Sequence, residues 1–141
     1  KQKEFHCRMK TLAFSIIFLP FLLGCNPSPK AITDPNETSE MALMMRQLYD
    51  DMLVLKKELE LGNTIKEKQV SFAPIHLHTP TDSSFIKPGF MERSAAFSRA
   101  AQLFNADPNE DTYRAVVMGC VTCHQALCPG PLVRIDNLVL D

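Results

Sequence analysis

The sequence predicts an all-α domain, a small antiparallel helical bundle of three long helices and one short or irregular segment. Apolar residues recur at helical spacing in three separate segments. Charged and apolar residues alternate in long runs, and glycine is scarce at five of 141 residues, which disfavours a β-sandwich or barrel. Apart from residues 64–88 the connections are short, so consecutive helices should run antiparallel.

The first helix is predicted to start at Thr38 or Ser39, either of which can serve as its N-cap, and to end at Gly62-Asn63. Its apolar residues follow a 4-3-4-3-4 spacing that forms one buried seam. These residues are Met41, Met45, Leu48, Met52, Leu55 and Leu59. Charged residues such as Arg46 and Asp50 occupy the other faces, which we interpret as a solvated surface.

Residues 64–88 contain three prolines and are predicted to be mostly loop, with a short helix near 70–76. A second long helix is predicted from Lys87-Pro88 to Phe104. Its expected buried residues are Phe90, Phe97, Ala101 and Phe104, while Ala95, Ala96 and Ala100 would permit close helix packing.

The last long helix is predicted to begin with a capping box in which Asp107 is the N-cap, Pro108 the N1 residue and Glu110 the N3 residue. It should run to about Leu127, because Cys128-Pro129-Gly130-Pro131 cannot continue a helix. The residues expected on its buried face are Tyr113, Val116 or Val117, Cys120, His124 and Leu127.

The N-terminal region has the pattern of a signal peptide. One positive charge at Lys10 precedes an uncharged run over residues 11–24, which is too short for a comfortable membrane span. We interpret residues 9–24 as the signal peptide and residues 1–8 as upstream sequence. Export would place the rest of the chain outside the cytoplasm.

The end of this run, Leu22-Leu23-Gly24-Cys25, resembles the lipobox of bacterial lipoproteins. The resemblance implies cleavage before Cys25 and lipidation of its thiol, so that the chain is held to a membrane on the periplasmic side of the cell envelope. A tether over residues 25–37 and a domain over residues 38–141 would follow. An ordinary signal peptide with a coincidental cysteine is the alternative.

The overall charge disfavours one class of partner. The formal net charge is −1 and there is no basic tract, which argues against nucleic-acid binding. The expected partners are redox proteins, the membrane through its lipid anchor, and a second copy of the chain.

The chemistry of the chain concentrates in Cys120-Val121-Thr122-Cys123-His124, the C-x-x-C-H pattern of c-type haem attachment. In such a site two thiols add across the haem vinyl groups and the adjacent imidazole binds the iron. On a helix, positions 120, 123 and 124 face one side. The export signal favours this interpretation, because c-type haem is attached outside the cytoplasm.

Three other interpretations compete for the same residues. A thioredoxin-like redox pair normally has a βαβ context, which the sequence does not indicate. A zinc site made of Cys120, Cys123, His124 and Cys128 would be cramped, since structural zinc usually takes two separated ligand pairs. A disulfide between Cys120 and Cys123 is the simplest alternative. Haem c is the favoured cofactor.

A haem motif on the last helix of an all-α domain of this length resembles the cytochrome c-prime family and its six-coordinate, low-spin relatives. The resemblance covers residues 39–138 and is firmest in SEMALMMRQLYDD and YRAVVMGCVTCHQALCPGPLVRI. Cys120, Cys123 and His124 match the attachment positions. The second helix of that fold is shortened or replaced in this chain.

The resemblance also implies that the first helix supplies the residue over the distal face of the haem. Met45 matches that position and is the expected sixth ligand, with Met44 as the second choice; antiparallel packing would place Met41 near His124 as well. His76 or His78 would give a bis-histidine alternative. Core filling is the commoner role of any methionine.

Two further residues near the motif are candidates. Arg134 is expected to pair with a haem propionate, with Arg114 and Lys87 as weaker candidates. Cys128 falls on the same helix face as His124, one turn later, and has no assigned role; it could pack at the haem edge or pair with another chain.

The sequence therefore predicts a lipid-anchored, exported, monohaem c-type cytochrome that carries single electrons and is not an enzyme. One alternative is a five-coordinate protein that binds NO or CO at a vacant distal position. Another is an envelope lipoprotein without haem, whose cysteines form disulfides and whose domain mediates interactions.

Overall fold

Every regular element that the structure, a computed structural model, shows in residues 37–141 is helical. The three long helices are α1 (Glu40–Glu60), α2 (Phe90–Ala106) and α3 (Glu110–Leu127), and a one-turn helix, α4 (Leu132–Ile135), follows them. Short 3₁₀ segments occupy Ile75–Leu77, Ser83–Phe85 and Asp136–Leu138. The prediction of a small all-α bundle is confirmed.

The structure describes residues 37–141. Several predictions concern residues outside this range: the upstream sequence at 1–8, the signal peptide at 9–24, lipidation of Cys25 and the tether as far as residue 36. Within residues 37–141, no helix combines the length and apolar character that a membrane crossing requires.

Helix α1 begins and ends where the sequence predicts. The Ser39 Oγ atom accepts a hydrogen bond from the Ala42 amide at 3.2 Å, which caps the N-terminus. At the other end Gly62 adopts a φ of 73°, and the Asn63 amide donates to the Glu58 carbonyl at 2.9 Å. This is a Schellman motif, whose left-handed residue favours glycine.

The predicted seam of α1 is buried in the middle of the helix and half-buried towards both ends, where Leu59 marks the C-terminal end. Leu48, Met52 and Leu55 are buried, whereas Met41 and Met45 are half-buried. Helix α1 meets the 3₁₀ segment Asp136–Leu138, where the Lys56 ammonium donates to the Asn137 carbonyl at 3.2 Å. The second half of α1 therefore contacts the C-terminal 3₁₀ segment.

The segment after α1 is irregular but fixed. Ile65, Val70 and Ile75 enter the core. The Asn105 side chain of α2 accepts from the Val70 amide at 3.2 Å and donates to the Val70 carbonyl at 3.0 Å. The predicted helix at 70–76 is wrong: only Ile75–Leu77 is helical there, as one 3₁₀ turn, because Asn105 holds Val70 in an extended connection.

Helix α2 begins at Phe90, three residues later than predicted, because Gly89 before it has a left-handed φ of 85°. Phe90, Phe97, Ala101 and Phe104 are buried as expected. The prediction for Ala95 and Ala96 is wrong, since both are exposed. Ala100 packs against the core, as predicted. Two further small residues at helix contacts are Ser94, which is fully buried, and Gly119 of α3, where a Cβ atom would lie 3.3 Å from the Phe97 ring.

Helix α3 has its capping box two residues later than predicted. Asn109, not Asp107, is the N-cap, and its side chain accepts from the Thr112 amide at 3.0 Å while the Thr112 hydroxyl accepts from the Asn109 amide at 3.1 Å. Thr112 also donates to the Asp107 carbonyl at 2.8 Å, which holds the chain extended before the helix. The helix ends at Leu127, as predicted.

The chain after α3 folds back along that helix. The buried Tyr113 hydroxyl donates to the Leu138 carbonyl at 2.8 Å, and burial raises the pKa of Tyr113 well above its usual range. Arg114 binds the Leu140 and Asp141 carbonyls at 2.8 and 3.0 Å. The one-turn helix α4 was not predicted, because four residues after two prolines carry too little periodicity.

Candidate functional site

A cavity of about 630 Å³ separates the first half of α1 from the second half of α3. Residues 129–131 and α4 close part of it, and Pro80, Thr81 and Phe85 of the irregular segment line another side. Its volume lies within the range of about 300–1,000 Å³ that is typical of ligand and cofactor sites. Most of the side chains around it are apolar.

The three residues of the C-x-x-C-H pattern all line this cavity. Cys120, Cys123 and His124 lie on one wall, together with Leu127 of the same helix. Helical spacing explains the arrangement, since residues three and four apart share a face. Cys123 is buried, and Cys120 and His124 are half-buried.

The three described cysteines are free thiols in this fold. Burial, aided by the nearby Cys123, raises the pKa of the Cys120 thiol to about 12. Burial also raises the pKa of Cys123 and of Cys128. Such thiols stay protonated at neutral pH, unlike the activated thiolates of redox-active cysteine pairs.

The His124 imidazole is held in a defined state. Its Nδ1 atom lies 3.1 Å from the Cys128 carbonyl oxygen. A carbonyl can only accept, so the hydrogen is on Nδ1 and the neutral ring has its lone pair on Nε2. Burial lowers the pKa of His124, partly opposed by the bond to Cys128, which favours this neutral form. A neutral imidazole fixed through Nδ1 is the usual state of a histidine metal ligand.

The cysteines and His124 are distributed along the wall. Within the described residues, no three His, Cys, Asp or Glu side chains are grouped so that they could hold a metal ion. The Cys128 Sγ atom lies 3.4 Å from His124 Nδ1. The thiol and the carbonyl of Cys128 therefore both contact the Nδ1 edge of the imidazole. The role that the structure gives Cys128 is therefore to accept a hydrogen bond through its backbone.

The wall formed by α1 carries methionines. Met41, Met45 and Met52 line the cavity, whereas Met44 is half-buried against the core and does not line it. The structure thus brings the first-choice ligand, Met45, to the same cavity as His124. Met41 reaches the cavity too, because it lies one helical turn before Met45 on the same face.

The two histidines of the irregular segment lie elsewhere. His76 Nδ1 is 3.1 Å from the Ser94 hydroxyl, and the buried Nε2 atom of His78 has no hydrogen-bond partner among residues 37–141. Neither residue lines the cavity. This geometry does not bring either one to His124.

Two arginines lie at the cavity. Arg134 lines it as predicted, with its guanidinium carbon 4.4 Å from the centre of the Tyr49 ring and Nη2 4.0 Å from the Asp50 carboxylate. Arg46 also lines the cavity and donates to the Thr38 hydroxyl at 3.2 Å. Arg46 is exposed, as predicted for a solvated surface, and it also lies at the edge of the cavity.

The weaker propionate candidates lie outside the cavity lining. Arg114 is 2.9 Å from the Glu110 carboxylate and binds the C-terminal carbonyls. The Lys87 ammonium donates to the Leu127 carbonyl at 3.0 Å, at the end of α3. Both side chains have structural partners that the sequence did not indicate.

Comparison with known proteins finds no match among family models, curated proteins or solved structures. The resemblance to the cytochrome c-prime family therefore rests on the sequence motifs quoted above.

Proposed function

We propose that the chain is an exported, lipid-anchored monohaem c-type cytochrome that carries single electrons. The observation that carries the proposal is the state of His124 beside two free thiols in one apolar cavity. Its Nδ1–H group is bound to the Cys128 carbonyl, so Nε2 is left as the electron-pair donor.

The residues of the cavity fit haem c in chemistry. Cys120 and Cys123 would hold the porphyrin through thioether bonds, and His124 would be the proximal ligand. When bound, the haem iron supplies the one-electron couple. Met45 is the proposed distal ligand, and Met41 is the neighbouring methionine on the same wall. The apolar side chains exclude water and so favour the less charged, reduced state.

The charged groups at the cavity fit the carboxylates that haem carries. Arg134 keeps its proposed role toward a propionate, and Arg46 joins it as a second guanidinium at the cavity. Guanidinium groups bind carboxylates through paired hydrogen bonds. Asp50, 4.0 Å from Arg134, offsets part of the positive charge on that side.

Location follows from the sequence alone. The signal peptide and the lipobox at Cys25 favour a lipoprotein on the periplasmic side of a bacterial envelope membrane. Lipidation would keep the domain beside membrane-bound redox partners. A second copy of the chain, forming a homodimer, is the other proposed partner.

The proposal is tested by producing the chain together with the haem-maturation machinery and assaying covalent haem as the pyridine haemochrome. We expect one haem per chain, lost in the double variant C120A/C123A. A matched control is C128A, which removes a thiol from the same wall and keeps the attachment motif. Wild-type protein without covalent haem would overturn the proposal and favour the envelope lipoprotein without haem.

A five-coordinate protein that binds NO or CO is the second candidate. It is favoured by the apolar residues on the α1 side of the cavity, such as Leu48 beside Met45. A high-spin spectrum that shifts on addition of CO would support it, whereas a low-spin spectrum insensitive to CO would support electron transfer.

A further inference from the structure

The turn after α3 fixes the carbonyl that holds His124. The Cys128 amide donates to the His124 carbonyl at 3.1 Å, and the Cys128 carbonyl accepts from His124 Nδ1, also at 3.1 Å. Cys128 has left the helical conformation, with φ −153° and ψ 81°. The orientation of the imidazole thus depends on how firmly this one peptide group is held.

A lysine from a distant part of the chain binds the preceding peptide group. The Lys87 ammonium donates to the Leu127 carbonyl at 3.0 Å, in a half-buried contact between residues 40 positions apart. Lys87 comes from the link before α2, so the contact fastens the start of α2 to the end of α3. A cation there also interacts favourably with the free carbonyls at the C-terminus of α3.

We propose that Lys87 is a positioning residue for the proximal histidine. By holding the Leu127 carbonyl it fixes the peptide plane next to Cys128, and the Cys128 carbonyl then keeps the His124 ring in one orientation with Nδ1 protonated. The inference rests on the proposed haem function and extends it to a residue outside the cavity lining. Lys87 acts through the backbone and does not touch the reacting atoms.

The contact between Lys87 and the Leu127 carbonyl also has a simpler explanation, and the experiment has to distinguish it from positioning of the imidazole. Lys87 could stabilise the junction of α2 and α3 without any effect on the imidazole. A purely stabilising contact would alter the exchange of all slowly exchanging protons of α3 together. A positioning contact alters the His124 Nδ1 proton selectively, because only that hydrogen bond depends on the Cys128 carbonyl.

The experiment compares wild type, K87M, K87R and K57M as haem-loaded, reduced proteins by NMR. The measured quantity is the solvent exchange rate of the His124 Nδ1 proton relative to the amide protons of Val117 and Cys123. In K87M we expect the Nδ1 proton to exchange about tenfold faster, the factor for losing one hydrogen bond from a charged donor. The amide rates should stay constant, and K87R should restore the wild-type value. Lys57 is an exposed lysine of α1, so K57M controls for loss of charge alone.

Two results would overturn the inference. One is an unchanged Nδ1 exchange rate in haem-loaded K87M, and the other is an equal acceleration at all the α3 protons. If K87M is recovered in low yield, K87Q carries the same measurement. Wild-type protein without covalent haem would overturn the proposed function and this inference together, so the haemochrome assay distinguishes the two failures.

Discussion

His124 donates its Nδ1–H group to the carbonyl of Cys128, four residues further along the chain and just past the end of α3. The bond joins the histidine of the motif to the first residue of the Cys-Pro-Gly-Pro break. The break therefore does more than end the helix, because it turns a backbone acceptor toward the imidazole. Cys128 can serve in this way whether or not its thiol has a function of its own.

Replacing Met45 by leucine should remove the proposed distal ligand. We expect the haem-loaded M45L protein to lose the long-wavelength absorption band of methionine bound to ferric iron, and to bind CO after reduction. Leucine keeps the apolar volume, so the fold should be little affected. The measurement is the absorption spectrum of both oxidation states.

M44L is the matched control, because Met44 lies beside Met45 in sequence but does not line the cavity. Its spectrum should match that of the wild type. Loss of the band in M44L but not in M45L would contradict the assignment, and loss in M41L alone would transfer the role to Met41.

Removing either arginine at the cavity should lower the reduction potential. A nearby cation disfavours the oxidised, more positively charged haem, so R46Q and R134Q should each shift the potential downward by on the order of tens of millivolts. Spectroelectrochemical titration at low salt measures the shift, which screening should reduce at high salt. R114Q serves as the control, since Arg114 is engaged with Glu110 and the C-terminal carbonyls. Equal shifts in all three variants would argue against specific placement at the haem.

Asn105 should contribute measurably to stability. N105A removes two hydrogen bonds to the backbone of Val70, and leaves a half-buried amide and carbonyl without those partners. We expect a loss of about 2–3 kcal/mol in the free energy of unfolding, measured by urea denaturation. N137A is a suitable comparison, because Asn137 is exposed and uses its backbone carbonyl to bind Lys56. If N105A lowers the free energy of unfolding by no more than N137A does, within experimental error, then Asn105 does not hold the connection.

Acid should loosen the 3₁₀ turn Ser83–Phe85, which Asp82 caps. The Asp82 carboxylate accepts from the Ser84 amide at 2.8 Å, and this bond lowers the pKa of Asp82 from 3.8. A lowered folded-state pKa means that the contribution is present above pH 3.8 and is lost as the pH falls through the lower value. Protection of the Ser84 amide against solvent exchange, relative to the intrinsic rate at each pH, should therefore fall in that range. D82N, which does not titrate, should show no such step, and a step in both proteins would exclude Asp82 as its origin.

Helix α1 shows what the sequence could predict. Its seam is regular over its length, and both ends carry strong local signals, Ser39 at the start and Gly62-Asn63 at the end. The shared face of Cys120, Cys123 and His124 was equally predictable from spacing, because α3 is long and unbroken.

The remaining features depend on contacts between distant residues. Asp107 and Asn109 are both good N-caps, and Thr112, which bonds to both, decides in favour of Asn109. The extended path at Val70 depends on Asn105, 35 residues later. Which of Met44 and Met45 lines the cavity depends on the rotation of α1 about its axis, and the seam residues Leu48 and Met52 indicated that rotation. The placement of Arg46 beside the cavity depends on the tertiary fold.

The two walls of the cavity come from opposite ends of the described chain. Met45 and His124 are separated by 124 − 45 = 79 positions. The two walls therefore meet only through long-range packing, and no local segment of the chain contains the whole site. A truncated chain that retains only one end would carry half a binding surface, whichever end it kept.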